Sequence, residues 1–148
     1  MINDLSIQPV QPENQAEARD LILAGLAEHW GQLDPGRNPD LVDINSAYAQ
    51  AVFLVAVWQG RVIGTGALLP KEDGVAEIVR MSVAVEMRRR GVASAILQAL
   101  SRQARAQGMH QLELETTETW QDAVAFYKNL GFEESYRLNG DIYFRLEL

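Results

Sequence analysis

The chain has 148 residues, of which 47% are hydrophobic and 22% charged, as expected for one globular domain over residues 1–148. It has no cysteine, which excludes disulfides and thiolate metal sites, and we expect no metal cofactor. A net charge of −7 disfavours nucleic-acid or membrane surfaces and modestly favours a cationic partner, unless it serves solubility alone. No apolar run could cross a bilayer and no signal peptide is visible, so we expect a cytoplasmic protein.

The first half of the chain predicts an edge strand, two helices and a strand pair. "SIQPV", from Ser6, predicts a short edge strand, and apolar residues at helical spacing predict a helix from Glu13 to about Trp30. Residues 31–40 are rich in Gly, Pro, Asn and Asp and predict a loop, followed by a short helix at 41–49. "AVFLVAVWQGRVIGTGALLP" then predicts two strands joined by a tight turn.

The second half predicts a strand, a helix, a further strand and helix, and one or two closing strands. "VAEIVRMSV" and "QLELETT" predict strands, with a helix over 91–107 between them. Thr119 and Asp122 have capping-box spacing for a helix that runs to Leu130, and "DIYFRLEL" closes the chain as a strand. The order βααβββαβα, followed by one or two strands, predicts an α/β fold with a mixed sheet.

"RRRGVAS", residues 88–94, places three arginines between a buried strand and a helix. The first N–H groups of a helix lack intrahelical partners, and Gly91 and Ala93 would let an oxyanion approach them. Arg88, Arg89 and Arg90 would add charge-assisted hydrogen bonds suited to phosphate. The alternative is a solvated basic turn that offsets acidic neighbours. Neither a P-loop nor a G-x-G-x-x-G motif is present, and "GTGALL" is interpreted as a packing feature.

Two blocks, "EIVRMSVAVEMRRRGVASAIL" and "LELETTETWQDAVAFYKNLGF", resemble the GNAT (general-control-related) N-acetyltransferases. They match the family's [Q/R]-x-x-G-x-[G/A] and [F/L]-Y-x-x-x-G-F elements through Arg88, Gly91, Ala93, Phe126, Tyr127, Gly131 and Phe132. The resemblance implies a mostly antiparallel sheet of six to seven strands with about four helices. It also implies that the strands around Val79–Val83 and Leu112–Thr116 splay apart to hold acetyl-CoA.

By this resemblance the anion is the pyrophosphate of acetyl-CoA, held by the turn, while a strand backbone pairs with the pantetheine arm. Many family members carry an asparagine where this chain has Trp120, which would stack on the cofactor, line the acceptor pocket or pack in the interior. The implied cofactor-binding residues are Met81, Ser82, Val83, Arg88, Arg89, Arg90, Gly91, Val92, Ala93, Ser94 and Trp120.

Acetyl transfer to an amine needs a base, because deprotonating an alkyl ammonium at pH 7 costs about 4–5 kcal/mol. Glu77 and Glu115 occupy positions that family members use for this base; a water chain is the third route, and an exposed strand carboxylate is the alternative for either glutamate. A backbone N–H of residues 81–83 would stabilise the oxyanion. Tyr127 would protonate the departing thiolate, unless it only packs against the sheet.

In this fold the first helices and their loop recognise the acceptor. Acidic and aromatic groups suit a cation, Arg37 suits a carboxylate or phosphate, and His29 is expected to be an exposed helix residue. The resemblance implies an N-acetyltransferase that acts by direct attack on a small-molecule or amino-acid-like amine. The alternatives are a protein lysine or N-terminal acetyltransferase and a non-catalytic CoA-binding module, and residues 143–146 would permit a homodimer. The acceptor region offers Glu28, His29, Trp30, Asp34, Arg37, Asn38 and Asp40.

Overall fold

A computed structural model describes residues 2–31 and 37–148, with the strands and helices in the expected chain order. The strands are β1 (Ser6–Pro9), β2 (Val52–Trp58), β3 (Arg61–Pro70), β4 (Val75–Val83), β5 (Gln111–Thr117), β6 (Glu133–Leu138) and β7 (Asp141–Glu147). The α-helices are α1 (Gln15–Trp30), α2 (Ile44–Ala47), α3 (Val92–Ala106) and α4 (Gln121–Asn129).

The seven strands form one sheet in the order β1-β2-β3-β4-β5-β7-β6. Pairing is antiparallel for β1 with β2, β2 with β3, β5 with β7 and β6 with β7, whereas β4 and β5 are parallel. The predicted fold class, a mixed and mostly antiparallel sheet with four helices, is therefore confirmed. The chain divides into two compact units, one formed by the residues up to Leu68 with Val79–Leu100, the other by Leu69–Ile78 with Ser101–Leu148.

The first unit contains β1, β2, most of β3, the end of β4 and the first half of α3. Two glycines of "GTGALL" let α3 lie directly on β3. A Cβ built on Gly66 would be 2.6 Å from Ile96 Cγ2 and 2.7 Å from Met81 Sδ, and one built on Gly64 would be 2.8 Å from both Ile96 Cδ1 and Val92 Cγ1. Their predicted role in packing is confirmed.

The second unit is built on β5, β7 and the first half of β4. Leu112, Leu114 and Phe144 are buried on the face that α4 covers through Tyr127, whose ring centroid lies 6.2 Å from that of Phe144. On β6, by contrast, every residue is exposed, as on an edge strand with little to bury.

Several local predictions were wrong. Trp120, not Thr119, is the N-cap of α4, and no side chain caps that helix, so Asp122 only adds negative charge to its first turn. The helix α2 has one turn instead of spanning 41–49. The segment at 143–146 lies in β7, an inner strand between β5 and β6, and its part in a homodimer stays a prediction. Among the described residues, no helix has the length and apolarity that a bilayer span requires.

Candidate functional site

The turn between β4 and α3 holds the residues predicted to bind an anion. Arg89 and Gly91 have left-handed backbones, with φ of 62° and 84°, and the peptide N–H of Ala95 donates to the Gly91 carbonyl at 3.0 Å to begin α3. Helix geometry leaves the preceding N–H groups, those of residues 92–94, without intrahelical acceptors. The predicted arrangement, a helix that begins just after three arginines, is present, and its binding of an anion stays a prediction.

Arg88 is bound to a carboxylate of α1. Its Nη1 and Nη2 donate to Glu28 Oε1 and Oε2 at 2.8 and 2.7 Å, and its Nε donates to the Val83 carbonyl at 3.4 Å. The hydrogen bond from Arg88 lowers the pKa of Glu28, so the carboxylate stays charged at neutral pH. Both side chains are about 40% exposed, so the pair can exchange with a ligand.

Arg89 and Arg90 have different surroundings from Arg88. They line a cleft of about 410 Å³ together with Trp58, Gln59 and residues 2–4. Trp58 is anchored there, because its indole Nε1 donates to the Asn3 carbonyl at 3.0 Å. The three arginines therefore serve two different surroundings and do not converge on one point.

Arg80 lies in the middle of β4 with a left-handed backbone, φ 57°. Its guanidinium donates to Asp40 Oδ1 at 2.6 Å and Oδ2 at 2.9 Å, and to Asn38 Oδ1 at 3.1 Å. The Tyr48 hydroxyl donates to the same Asp40 at 2.7 Å, and Thr65 Oγ1 donates to the Arg80 carbonyl at 2.7 Å. These five residues form one connected network, which we call the Arg80 network.

The charges of the Arg80 network support each other. Burial alone would raise the pKa of Asp40, but hydrogen bonds from Arg80 and Tyr48 outweigh it and hold that pKa below its ordinary value. Burial and the hydrogen bond to Asp40 raise the pKa of Tyr48 to about 12. At neutral pH the network therefore consists of an ion pair and a neutral phenol.

Glu77 shares a cation with a second glutamate. In the parallel pairing of β4 with β5 it lies opposite Glu113, and Lys71 Nζ is 3.4 Å from Glu77 Oε1 and 3.0 Å from Glu113 Oε1. The hydrogen bond from Lys71 to Glu113 is the main cause of a raised pKa at Lys71. Glu77 is thus an ion-paired carboxylate, and its side chain is only 21% exposed.

Glu115 also has a partner. It lies opposite Tyr143 in the β5–β7 pairing and accepts a hydrogen bond that raises the pKa of Tyr143 to about 12. Tyr143 in turn stacks on Tyr136, with ring centroids 4.4 Å apart and planes within 10°. Glu115 is exposed.

Tyr127 is buried in an aromatic cluster, with ring centroids 5.2 Å from Phe126 and 5.7 Å from Phe132. Burial raises the pKa of Tyr127 to about 12. It lies on the face of β5 and β7 that carries Leu114 and Phe144. Because side chains alternate along a strand, Glu115 belongs to the opposite face.

The predicted acceptor residues are mostly engaged within the protein or lie at the surface. Glu28 and Asp40 are held by arginines, His29 and Arg37 are exposed, and Trp30 is 57% exposed. Asp34 lies outside the described residues. Of the acidic side chains offered for a cationic acceptor, the two that the structure describes, Glu28 and Asp40, therefore have intramolecular cations already.

The predicted site residues fall into two sets. The first unit holds Met81–Val83 and Arg88–Ser94, and the second holds Glu77, Glu115, Trp120 and Tyr127. Trp120 is half-buried, and its peptide N–H donates to the Thr117 carbonyl at 2.9 Å where α4 begins. Within residues 2–31 and 37–148, no three His, Asp or Glu side chains lie close enough together to hold a metal ion.

Sequence reasoning missed the role of Arg80 and the cation shared by Glu77 and Glu113. A charged residue inside the apolar strand "EIVRMSV" is the signal that could have identified Arg80. Lys71 offered no such signal, because a lysine in a polar turn is common.

A mixed sheet whose fourth strand leads through an arginine- and glycine-containing turn into a helix is the arrangement that the resemblance to the N-acetyltransferases implies. The chain belongs to the acetyltransferase (GNAT) family, whose model matches residues 18–132. It is therefore an acetyltransferase, as predicted.

Known proteins agree with this assignment. An uncharacterized N-acetyltransferase of Escherichia coli K12, YjgM, is 31% identical over 129 residues, which cover 82% of this chain and 77% of that protein. A GNAT-family acetyltransferase of Staphylococcus aureus Mu50 has a similar structure, with a TM-score of 0.89 at 20% identity, covering 97% of this chain and 99% of that one. The PaiA N-acetyltransferase of Thermoplasma acidophilum, solved with coenzyme A, gives a TM-score of 0.86 at 14% identity, covering 98% and 99%.

Proposed function

We propose that the protein transfers the acetyl group of acetyl-CoA to the primary amine of a small-molecule or amino-acid-like acceptor, by direct attack in a ternary complex. The observation that carries this proposal is the turn into α3, where unpaired helix amides and the left-handed backbones of Arg89 and Gly91 accompany three arginines. The coenzyme A bound to the structurally similar Thermoplasma protein supports the choice of cosubstrate.

The residues of the turn fit a diphosphate. Backbone N–H groups of residues 92–94 would bind its oxygens, and the small Ala93 leaves room for them. Arg89 and Arg90 are exposed and available to an anion, whereas Arg88 would first have to leave Glu28. Met81, Ser82 and Val83 would pair with the pantetheine arm through their backbone, and Trp120 would contact the cosubstrate.

Tyr127 would donate a hydrogen bond to the departing thiolate. At a pKa of about 12, full proton transfer to a thiolate whose conjugate acid is near 8.5 costs about 5 kcal/mol, against about 2 kcal/mol for an ordinary phenol. Burial therefore favours Tyr127 as a hydrogen-bond donor that stays neutral, so coenzyme A would leave as a thiolate stabilised by this hydrogen bond while the amine proton goes to the base.

The base would be Glu77 or Glu115, or a water held by one of them. Both lie on the face of their strands opposite Tyr127, so the base and the hydrogen-bond donor would act on the tetrahedral intermediate from different faces of the strands. Both glutamates already have a partner, Lys71 for Glu77 and the half-buried Tyr143 for Glu115. Glu77 is the stronger candidate because its side chain is more shielded from solvent than that of the exposed Glu115. A backbone N–H of residues 81–83 would stabilise the developing oxyanion.

The decisive experiment measures release of free coenzyme A from acetyl-CoA in the presence of a panel of amines, amino acids and lysine peptides. Turnover with small amines supports the proposal, and turnover with peptides alone would favour a protein acetyltransferase. Calorimetric binding of acetyl-CoA without release by any amine would identify a non-catalytic CoA-binding module. Arg90→Glu should weaken acetyl-CoA binding at least tenfold, as expected for a lost charge-assisted contact, while Arg102→Glu, on the exposed face of α3, should not.

Glu77→Gln and Glu115→Gln separate the two candidate bases. Loss of the base should lower kcat and remove the acidic limb of the pH–rate profile, and the other variant should keep both. If both variants keep the wild-type profile, the proton leaves through a water chain that needs neither glutamate.

We also propose that both units belong to one acetyltransferase domain and that the protein acts inside the cytoplasm. A homodimer formed through the late strands would use β6, because β7 is already paired on both sides. Sedimentation of the wild type and of Tyr136→Lys, a substitution at an exposed β6 position, tests the dimer.

A further inference from the structure

We infer that Asp40 is a positioning residue for acetyl transfer. It acts through Arg80, whose backbone conformation fixes the position of the residues that follow it in β4, 81–83. The inference rests on the proposed function, because those residues are the proposed oxyanion donors. Neither Asp40 nor Arg80 needs to touch a substrate in this role.

The first step is the backbone of Arg80. A left-handed residue is rare in a strand and costs on the order of 1 kcal/mol or more for a side chain other than glycine. Such a conformation persists only where the surroundings fix it. At φ 57°, Arg80 changes the direction in which β4 presents its following N–H groups.

The second step is what fixes that conformation. The guanidinium is held by three hydrogen bonds from Arg80 to Asp40 and Asn38, and the Arg80 carbonyl is held by Thr65. Side-chain exposure is 19% for Arg80 and 26% for Asp40, so the pair is shielded well enough to be geometrically restrained. The residue is thus held at both its side chain and its backbone.

The third step is position along the chain. Met81 follows Arg80 directly, and just beyond the end of β4 the peptide N–H of Ala84 donates to the Ile63 carbonyl of β3 at 2.9 Å. Residues 81–83 therefore lie between a strained residue and a backbone contact with β3. A change at residue 80 must displace them, and displacement of catalytic groups by about 1 Å can cost ~100-fold in rate.

The experiment compares Asp40→Ala, Arg80→Ala and Arg80→Gly. Both alanine variants should lower kcat about 10- to 100-fold, while the KM of the amine changes less than about threefold. Arg80→Gly also lacks the guanidinium but tolerates the left-handed backbone, so it should retain more of the wild-type kcat than Arg80→Ala. In the Arg80→Gly background, Asp40→Ala should have little further effect.

Arg61→Ala is the matched control, since Arg61 also pairs with a carboxylate, at 3.1 Å from Glu86, but on an exposed surface. It should leave kcat unchanged. Equal loss in Arg80→Gly and Arg80→Ala, with a raised KM for the amine, would show that the guanidinium binds the acceptor and would overturn the inference. An unchanged kcat in Asp40→Ala would overturn it as well.

A second readout does not depend on activity. The amide ¹H–¹⁵N resonances of residues 81–83 should shift in Asp40→Ala and Arg80→Ala and stay in place in Arg61→Ala. Where Asp40→Ala fails to fold, Asp40→Asn keeps an acceptor oxygen for Arg80 and should give a smaller shift in the same direction. A wild-type protein without turnover would refute the proposed function, whereas unmoved amide resonances would refute this inference alone.

Discussion

Glu28→Gln should strengthen the binding of acetyl-CoA. In the free protein the Glu28 carboxylate occupies both terminal nitrogens of Arg88, at 2.7 and 2.8 Å, and these are the donors a diphosphate would use. An incoming anion must displace that carboxylate or bind without Arg88. Glutamine has the same shape but no charge, so the displacement becomes easier.

The magnitude follows from the exposure of the pair. Exposed ion pairs contribute about 0.2–1 kcal/mol, and the bidentate geometry places this one near 1 kcal/mol. The wild type must break this ion pair when acetyl-CoA binds to Arg88, and Glu28→Gln does not. The dissociation constant should therefore be about two- to fivefold lower in the variant. The gain should shrink at high salt, where exposed charges are screened.

Isothermal titration of acetyl-CoA at low and high salt measures this effect. Asp20→Asn is the control, because it removes an exposed carboxylate from the same helix, and no described ion pair involves Asp20. An equal gain in Asp20→Asn would assign the effect to overall charge. Unchanged or weaker binding in Glu28→Gln would refute the reasoning, because Glu28 would then hold Arg88 in place for the ligand.

Three further predictions concern stability. Because the pKa of Tyr127 is raised, its contribution to the free energy of unfolding is complete below pH 10 and is lost as the pH rises to about 12. Over that range the free energy of unfolding, measured in urea, should fall by about 3 kcal/mol more in the wild type than in Tyr127→Phe. Equal decreases would contradict this. Gly66→Ala should cost about 1–3 kcal/mol, because its Cβ would meet Ile96, and an unchanged unfolding midpoint would show that α3 can shift freely. Because the pKa of Asp40 is lowered, wild-type stability should fall below about pH 4, relative to Asp40→Asn measured in parallel, and parallel acid curves would exclude that contribution.

Much of the fold follows from periodicity. The strand "VAEIVRMSV" occupies the predicted residues, because its apolar side chains favour a buried strand and the polar turn before it marks where the strand begins. The helix α3 was predicted from its 3.6-residue pattern of apolar residues. The strand β6 gave no such signal, since all six of its residues are exposed and no face needs burial. The predicted cap at Thr119 was wrong because spacing alone does not fix where a helix begins.

The signature turn was predicted from its residues, but its partners were not. Arg88 pairs with Glu28 sixty positions away, and Arg80 pairs with Asp40 forty positions away. A single sequence carries no record of which distant carboxylate meets which arginine, because the chain folding in three dimensions brings them together. A short stretch of sequence is therefore enough to identify the site residues, but not to identify the distant residues with which they form ion pairs.

The two glycines of β3 that contact α3 have a practical consequence for protein engineering. Since Gly64 and Gly66 set how closely α3 can pack on the strand, they also set the position of the first turn of α3 and of the arginines that precede it. A chimera that borrows residues 88–100 from this chain must borrow those two glycines as well. On a strand with larger side chains at these two positions, the same helix would pack farther from the sheet. The signature residues would then be present, but the N–H groups of the first turn of α3 would be displaced.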